Sequence, residues 1–306
     1  MTRRRRRLGV SGRSEPRQHD EHHDPHREPG THLSLSFPSR RQTSAGMLPR
    51  VQVQRADEIW ARIERAAGDA GGVVATDADG TLWDGDVGED LFHAFLERGV
   101  VHGASAEAMG REARDHGISD AGSPIEVARR LFAAYTEGTY PEKSACELMA
   151  WCFAGWARGD VAQFAATTVQ GLGLAGRMHG EVMGLLGRAR KAGLEVILVS
   201  ASPIAIVHAA GAAAAGFDEA HIVAAQSRWA GEVMLPAIED PIPYAGGKVQ
   251  RLRERIGSRR LVAALGDNGF DVAMLAEAAV GIAVRPKAKL RARASEVAGL
   301  VELARG

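Results

Sequence analysis

Short apolar runs separated by helix-forming sequence constrain the fold of this chain more than any other feature. The runs "VVAT" (73–76), "EVILVSAS" (195–202), "AHIVAAQ" (220–226), "LVAALG" (261–266) and "VGIAV" (280–284) read as buried strands. Strands that alternate with helices join through right-handed crossovers into a mostly parallel sheet covered on both faces. The sequence therefore predicts an α/β fold with a Rossmann-like, mostly parallel sheet.

A long helical stretch follows the first of these strands. Residues 88–190 are rich in Ala, Leu, Arg and Glu, and turn-forming segments such as "HGISDAGSP" divide them into separate helices. We therefore expect a helical cap at residues 88–190, inserted after the first core strand and packed separately. The α/β core would then comprise residues 51–87 and 191–306, with a hairpin at "SRWAGEVM".

The first 50 residues differ in composition from the rest of the chain. They hold 11 Arg and 5 His against 5 acidic residues, with almost no periodic apolar pattern. Such a composition predicts a disordered basic and His-rich tail at residues 1–50, dispensable for folding. A basic arm for an acidic surface and a metal-binding His tract remain alternatives. An export signal fails, because no apolar segment follows the arginines.

Composition excludes several classes of partner. The chain is 45% apolar and 25% charged, and no apolar run approaches the roughly 20 residues that span a bilayer. Beyond the tail, acidic residues outnumber basic ones, which gives no electrostatic reason to expect nucleic acid. Only two cysteines, Cys146 and Cys152, occur, as is typical of a reduced, cytoplasmic protein. A homodimer is left open.

Acidic or small polar side chains stand at the ends of three predicted strands. The carboxyl ends of parallel strands lie at one edge of a sheet, where open α/β sheets bind ligands. We therefore expect these side chains to meet. Lys248, near the start of a later helix, is one of only five lysines beside 33 arginines. The strand-end residues are Asp77 and Asp79, Ser200 and Ser202, and Asp267 and Asp271.

Each of these clusters also has a purely structural interpretation. An Asp-x-Asp-Gly stretch suits a solvated turn. Ser200 or Ser202 could cap a helix that begins near Pro203, because Ser at the N-cap with Pro at the next position is a common helix start. Asp271 could be an exposed helix residue.

Taken in order, "DADGT", "VSASP", Lys248 and "GDNGFD" resemble the haloacid dehalogenase-type hydrolase superfamily, particularly its phosphoserine phosphatase-like branch. The resemblance covers roughly residues 73–285. It implies a phosphomonoesterase whose nucleophile, Asp77, forms an aspartyl-phosphate, which divides one difficult step into two. Asp79 would protonate the leaving alcohol and later act as the base on water.

The resemblance also implies how the phosphate is held. A phosphate dianion repels a carboxylate nucleophile, so a cation must offset the charge, and Mg²⁺ prefers oxygen ligands. Ser200 and the N–H of Ala201 would donate to phosphoryl oxygens, while Lys248 would offset charge. The expected Mg²⁺ ligands are Asp77, Asp267 and the main-chain carbonyl of Asp79, with Asp271 either binding the ion or standing behind its ligands.

The expected substrate is a small phosphate ester that bears an amine. In phosphoserine phosphatases an acid near the nucleophile holds the substrate amine, and a cap arginine holds its carboxylate. Asp86 stands where the resemblance places that acid, and Glu89 is close enough to compete. Phosphoserine is the first expectation, with phosphocholine and phosphoethanolamine as alternatives. The aromatic residues of "WCFAGW" could box a quaternary ammonium, although a place in the cap core is the simpler role. The candidate arginines are Arg111, Arg114, Arg129 and Arg158.

Other functions of the same superfamily share parts of this pattern. A haloacid dehalogenase lacks an acid two residues after the nucleophile, so Asp79 argues against that activity. A non-catalytic scaffold-type member would have lost one of the motifs, and all of them are here. A phosphotransferase or mutase that uses the same aspartyl-phosphate stays open, because the cap and not the core chooses the acceptor.

Overall fold

The computed structural model describes residues 51–306, so the expectations for the tail at residues 1–50 lie outside the described part. Strands and helices alternate along this part as the apolar runs predict. The strands are β1 (Gln52–Gln54), β2 (Val73–Asp77), β3 (Glu195–Pro203), β4 (Ile222–Ala225), β5 (Ser227–Ala230), β6 (Val233–Ile238), β7 (Leu261–Gly266), β8 (Val280–Val284) and β9 (Val301–Leu303). The helices are α1 (Ala56–Ala67), α2 (Val87–Arg98), α3 (Gly103–Asp115), α4 (Pro124–Thr136), α5 (Glu142–Trp151), α6 (Arg158–Gly171), α7 (Gly180–Lys191), α8 (Ile204–Ala215), α9 (Gly246–Ile256), α10 (Val272–Glu277) and α11 (Ala288–Ala292).

The main sheet has seven parallel strands in the order β1-β9-β8-β7-β2-β3-β4, and β5 and β6 form a separate antiparallel hairpin. In the register of the sheet, Val73 of β2 lies opposite Glu195 of β3 on one side and Leu261 of β7 on the other. After β2, the chain adds β3 and β4 on one side of that strand and later adds β7, β8 and β9 on the other side. Such a switch point opens a ligand crevice at the carboxyl end of the central strands, which is where Asp77 lies.

The sheet is covered on both faces, because successive side chains of a strand point to opposite sides. Val74 of β2 belongs to one buried apolar cluster, and Val73 and Ala75 belong to another. The second cluster includes Leu252 and Ile256 of α9. The predicted α/β class with helices on both faces is confirmed.

Helices α2 to α7 lie between β2 and β3, where the sequence predicts helices. Local signals explain their ends: Ser123 and Glu126 form a capping box at the start of α4, and Gly99 adopts a left-handed conformation after α2. Buried side chains of this helical block share one apolar cluster with those on one face of the sheet. The division into core and cap therefore stays a prediction. No helix within residues 51–306 is both long and apolar enough to span a membrane.

Two short strands at one side of the sheet, β1 at its edge and β9 next to it, were not predicted. β1 and β9 pair with each other in parallel, Gln52 lying opposite Val301. Each has only three residues, which is too short for a periodic pattern to indicate a strand. The pair extends the sheet on the side away from β4.

Candidate active site

Asp77 is the last residue of β2 and stands at the centre of the carboxyl edge of the sheet. Gly80 turns the chain immediately behind it with φ +82°, and a Cβ there would lie 2.2 Å from Asp267 Oδ2. Only glycine therefore allows the turn and this close approach. Thr81 Oγ1 donates a 2.8 Å hydrogen bond to Asp77 Oδ2, a contact that the sequence did not predict.

Lys248 is the fully buried partner of the nucleophile candidate. It projects from the first turn of α9, and its Nζ donates to Asp77 Oδ1 and to Asp271 Oδ1, at 2.5 Å each. Burial disfavours its charge, but the carboxylates of Asp271 and Asp77 outweigh that effect and hold the pKa of Lys248 above its ordinary value. The lysine therefore stays positively charged between two acids.

Asp77, Asp267 and Asp271 form a compact group, with one oxygen of each within 4.8 Å of the others. Burial, and then the carboxylates of Asp271 and Asp267, raise the pKa of Asp77 well above its ordinary value against the opposing effect of Lys248. Burial and Asp271 likewise raise the pKa of Asp267 to about 6. Asp267 Oδ1 is buried without a hydrogen-bond partner among the described residues. Crowded, buried carboxylate oxygens with an unused lone pair suit a hard divalent cation.

Asp271 is completely buried, so its interpretation as an exposed helix residue is wrong. Its Oδ2 accepts hydrogen bonds from the backbone N–H groups of Asp267 and Asn268, at 3.0 and 2.9 Å. Together with the bond from Lys248 to Oδ1, these contacts engage both carboxylate oxygens. Asp271 thus fixes the loop after β7 and the position of the lysine.

Asp79 is held differently from Asp77. Its Oδ1 accepts hydrogen bonds from Trp83 Nε1 at 2.8 Å and from the N–H of Val87 at 2.9 Å. Its Oδ2 accepts from Ser202 Oγ at 2.7 Å and from Ser200 Oγ at 3.2 Å. Four donors without formal charge therefore orient this carboxylate, whereas a lysine and a threonine contact Asp77.

Ser200 and Ser202 are both part of β3, and neither caps α8. The residue before α8 is Pro203, which offers no side-chain cap, so the capping interpretation of the serines is wrong. The N–H of Ser202 donates to Ser200 Oγ at 3.0 Å, so that hydroxyl both accepts a bond and donates to Asp79. The two serines join β3 to the loop after β2.

A cavity of about 350 Å³ opens beside these groups. Lys248, Asp267 and Asp271 lie behind it in contact with its wall. Asp84, Glu142 and Lys287, which were not predicted as site residues, also line it. Its predicted lining residues are Asp77, Asp79, Asp86, Glu89, Ser200 and Ala201.

Asp86 and Glu89, the expected amine ligands, share the first turn of α2. Asp86 caps that helix by accepting a 2.9 Å hydrogen bond from the N–H of Glu89, and Glu89 accepts another of 2.9 Å from the hydroxyl of Tyr135. Burial and then the charge of Asp79 raise the pKa of Asp86 well above its ordinary value. The structure therefore gives Asp86 a capping role beside the predicted binding role, which stays a prediction.

None of the four candidate arginines of the cap lines this cavity. Arg114 pairs with Asp120, and Arg158 lies over the ring of Trp229. The aromatic cluster of "WCFAGW" is buried core, and the cation over its Trp156 ring is Arg98, 4.9 Å from the ring centre. The cation that does line the cavity is Lys287, whose Nζ lies 2.8 Å from Asp267 Oδ2.

Ser202, which was predicted only as a strand-end or capping residue, and Lys287, which was not predicted, both carry a further signal in the sequence. Ser200 and Ser202 are two positions apart on a strand, so they face the same side. Lys287 follows β8 at the same edge of the sheet, and the rarity of lysine that drew attention to Lys248 applies to it equally. By contrast, nothing in the local sequence of Glu142 or Tyr135 points to this cavity.

Comparisons with known proteins give one family match and several solved structures of similar fold. A family model described as haloacid dehalogenase-like hydrolase matches residues 74–276. A solved structure of a protein of unknown function from Bordetella pertussis Tohama I matches with a TM-score of 0.57 and 22% identity, over 76% of this chain and 99% of its own. A functionally unknown protein from Anaerococcus prevotii DSM 20548 matches with a TM-score of 0.56 and 15% identity, over 78% and 87%. Phosphoserine phosphatases match with TM-scores of 0.42 to 0.45. No curated protein gave a significant match.

Proposed function

Since this chain belongs to the haloacid dehalogenase-like hydrolases, we propose that it is a Mg²⁺-dependent phosphomonoesterase that acts through an aspartyl-phosphate on a small, amine-bearing ester. The observation that carries the proposal is the placement of Asp77. It ends an inner strand of the sheet, contacts the buried Lys248, and lies beside Asp267 and Asp271 at the wall of a cavity. A carboxylate in this position can approach a phosphate group, because Lys248 offsets part of the negative charge.

In the first step, a carboxylate oxygen of Asp77 attacks phosphorus, and the bond from phosphorus to the leaving alcohol breaks. Asp79 gives its proton to the leaving oxygen. In the second step, water attacks the aspartyl-phosphate, Asp79 takes the proton of that water, and inorganic phosphate leaves with Asp77 restored. Lys248 offsets charge on the phosphate throughout.

Ser200 is proposed to serve the phosphate once the substrate is bound. Its bond to Asp79 is, at 3.2 Å, the longest of the four that this carboxylate accepts. Turning the hydroxyl of Ser200 toward a phosphoryl oxygen therefore costs little and frees one side of Asp79. Ser202, Trp83 and the N–H of Val87 continue to hold the acid.

The residues present fit Mg²⁺. Asp77, Asp267 and the main-chain carbonyl of Asp79 would hold the ion, and Asp271 would stand behind them with Lys248. When bound, the ion supplies positive charge that aligns the phosphate with the nucleophile. Asp267 Oδ1, which has no hydrogen-bond partner among the described residues, would be available to the ion, while Oδ2 stays paired with Lys287.

The cavity favours a cationic leaving group. Asp86 and Glu89 line it near Asp79, and no arginine among the described residues lines it to pair with a substrate carboxylate. Lys287 is already paired with Asp267. We therefore place an ester with an ammonium group and no carboxylate, such as phosphoethanolamine or phosphocholine, ahead of phosphoserine.

The test of the activity is hydrolysis of an aryl phosphate by the purified protein. We expect turnover in Mg²⁺ that a chelator abolishes and that added Mg²⁺ restores. The variant Asp77→Asn serves as the matched control for contaminating phosphatases and should be inactive. Turnover that resists the chelator, or no turnover of any phosphomonoester at saturating Mg²⁺, would contradict the proposal.

The test of the substrate class is a panel of phosphoserine, phosphoethanolamine, phosphocholine and a neutral sugar phosphate. We expect the two carboxylate-free cationic esters to have the highest kcat/KM, through a lower KM, because charge pairing acts on binding. An equal kcat/KM for the neutral sugar phosphate would contradict the proposal that charge pairing selects the substrate.

A further inference from the structure

Glu142 stands where three cavities meet. It is the first residue of α5, and it lines the cavity of Asp77 as well as two neighbouring cavities of about 500 and 360 Å³. Its Oε2 accepts a 2.7 Å bond from Lys289 Nζ and a 3.4 Å bond from the hydroxyl of Tyr244. The ammonium group of Lys289 therefore already pairs with this carboxylate in the wall of the cavity.

The two members of this ion pair differ in exposure. The side chain of Lys289 is 67% exposed and that of Glu142 only 24%. Ion pairs with such an exposed member contribute little to stability, so Lys289 can move into water at low cost. Glu142 lies in the first turn of α5, where the helix dipole favours negative charge. When Lys289 leaves, a carboxylate stays behind in the cavity wall.

On the cavity side, no unpaired cationic side chain among the described residues could replace Lys289 at Glu142. Asp86, Glu89 and Glu142 line the same cavity, and its one lining cation among the described residues, Lys287, is paired with Asp267. Cys146 lies beside them, and burial, followed by Asp86 and Glu142, raises the pKa of its thiol, so it adds no charge that could pair. A ligand that brings its own cation would complete this group.

We propose that Glu142 is a specificity-determining residue that binds the cationic end of the leaving group in exchange for Lys289. The inference rests on the proposed function and deepens it. The phosphate lies at Asp77 while the substrate ammonium takes the place of the lysine ammonium on Glu142. Lys289 is then a competitor for this carboxylate, and Tyr244 keeps the carboxylate in place.

The test is whether substitutions of Glu142 and of Lys289 change the substrate preference in opposite directions. For each variant, kcat/KM is measured for phosphoethanolamine and for an aryl phosphate, and the ratio of the two is compared with that of the unmodified protein. Glu142→Gln should lower the ratio about tenfold through KM, because it removes a charge contact. Lys289→Gln should raise the ratio a few-fold through KM, because it removes the competitor.

A purely structural ion pair gives a different result, since losing either partner loosens the same contact between α5 and α11. Ratios that do not move in opposite directions would therefore overturn the inference. Glu142→Asp, which keeps the charge but shortens the side chain, should restore part of the ratio lost in Glu142→Gln. Melting temperatures identify any variant that fails to fold, and the exposed Lys289→Gln then still tests the inference.

The matched control is the ion pair of Lys143 and Glu147, on the same helix at 2.5 Å and outside the cavity lining. Lys143→Gln and Glu147→Gln should leave the ratio unchanged. Failure of the proposed function is distinguishable, because the unmodified protein would then hydrolyse neither ester. If the protein hydrolyses aryl phosphate but neither Glu142→Gln nor Lys289→Gln changes the ratio, only the role of Glu142 is contradicted.

Discussion

At the scale of single residues, the two aspartates of the "DAD" stretch differ by what contacts them. Asp77 is bonded to the buried ammonium of Lys248, whereas Asp79 accepts only from donors without formal charge. In the proposed mechanism, the lysine offsets the charge of the carboxylate that approaches the phosphate. Donors spread over a loop and a strand instead fix the direction of a carboxylate, as proton transfer requires.

This difference predicts separable effects of two substitutions. Asp77→Asn should abolish turnover and any phosphoenzyme, because it removes the nucleophile. Asp79→Asn should slow turnover but still leave phosphoenzyme detectable with an aryl phosphate, whose good leaving group needs little protonation. Rapid quenching followed by mass measurement of the intact protein checks both. Equal loss of phosphoenzyme in the two variants would mean that the roles are not divided in this way.

Ser202 is expected to act by positioning Asp79. Ser202→Ala removes the shortest hydrogen bond to that carboxylate and should lower kcat for alkyl phosphates about tenfold, in line with the loss of one charge-assisted hydrogen bond. The loss for an aryl phosphate should be smaller, since its leaving group depends less on the acid. Ser202→Thr keeps the hydroxyl and should recover activity. A loss of the same size for both ester types would instead indicate general damage to the site.

At the scale of elements, the first turn of α9 sets the position of Lys248 through close backbone packing. A Cβ at Gly247 would lie 2.1 Å from the carbonyl oxygen of Ile242, while one at Gly246 would meet nothing within 4 Å. The helix start is thus pressed against the preceding loop just before the lysine.

Gly247→Ala should therefore destabilise the protein by about 1–3 kcal/mol, the usual range for overpacking, and reduce activity because Lys248 shifts with the helix. Gly246→Ala is the matched control in the same turn and should change neither stability nor activity appreciably. Urea unfolding and kcat/KM for an aryl phosphate measure the two effects. Similar behaviour of the two variants would show that the contact with Ile242 does not hold the helix.

The elements also show what the sequence could and could not predict. The apolar runs predicted the sheet, and the strand ends brought together Asp77, Ser200 and Asp267, because the carboxyl ends of parallel strands must share an edge. Glu142 could not be predicted, since its place at the cavity depends on how helices pack over long sequence distances. The short strands β1 and β9 were missed because three residues carry no measurable period.

At the scale of the whole molecule, every residue with a proposed role lies between Asp77 and Lys289, and residues 51–306 belong to one compact unit. A protein that starts at Met47 should therefore match the full chain in kcat/KM and in melting temperature. Thermal unfolding and kinetics of both forms, compared side by side, check this. A fall of more than a few degrees would show that the preceding segment contributes to the fold.

The central position of β2 also bears on how the chain reaches its structure. β2 is made early, yet its neighbours are made much later: Val73 pairs with Glu195 in β3 and with Leu261 in β7. Pairings between such distant segments must overcome loop-closure entropy, and proteins rich in them fold slowly. During synthesis, β2 cannot complete its pairing until β7 has left the ribosome. Its open edges are then where misassembly or chaperone binding would begin.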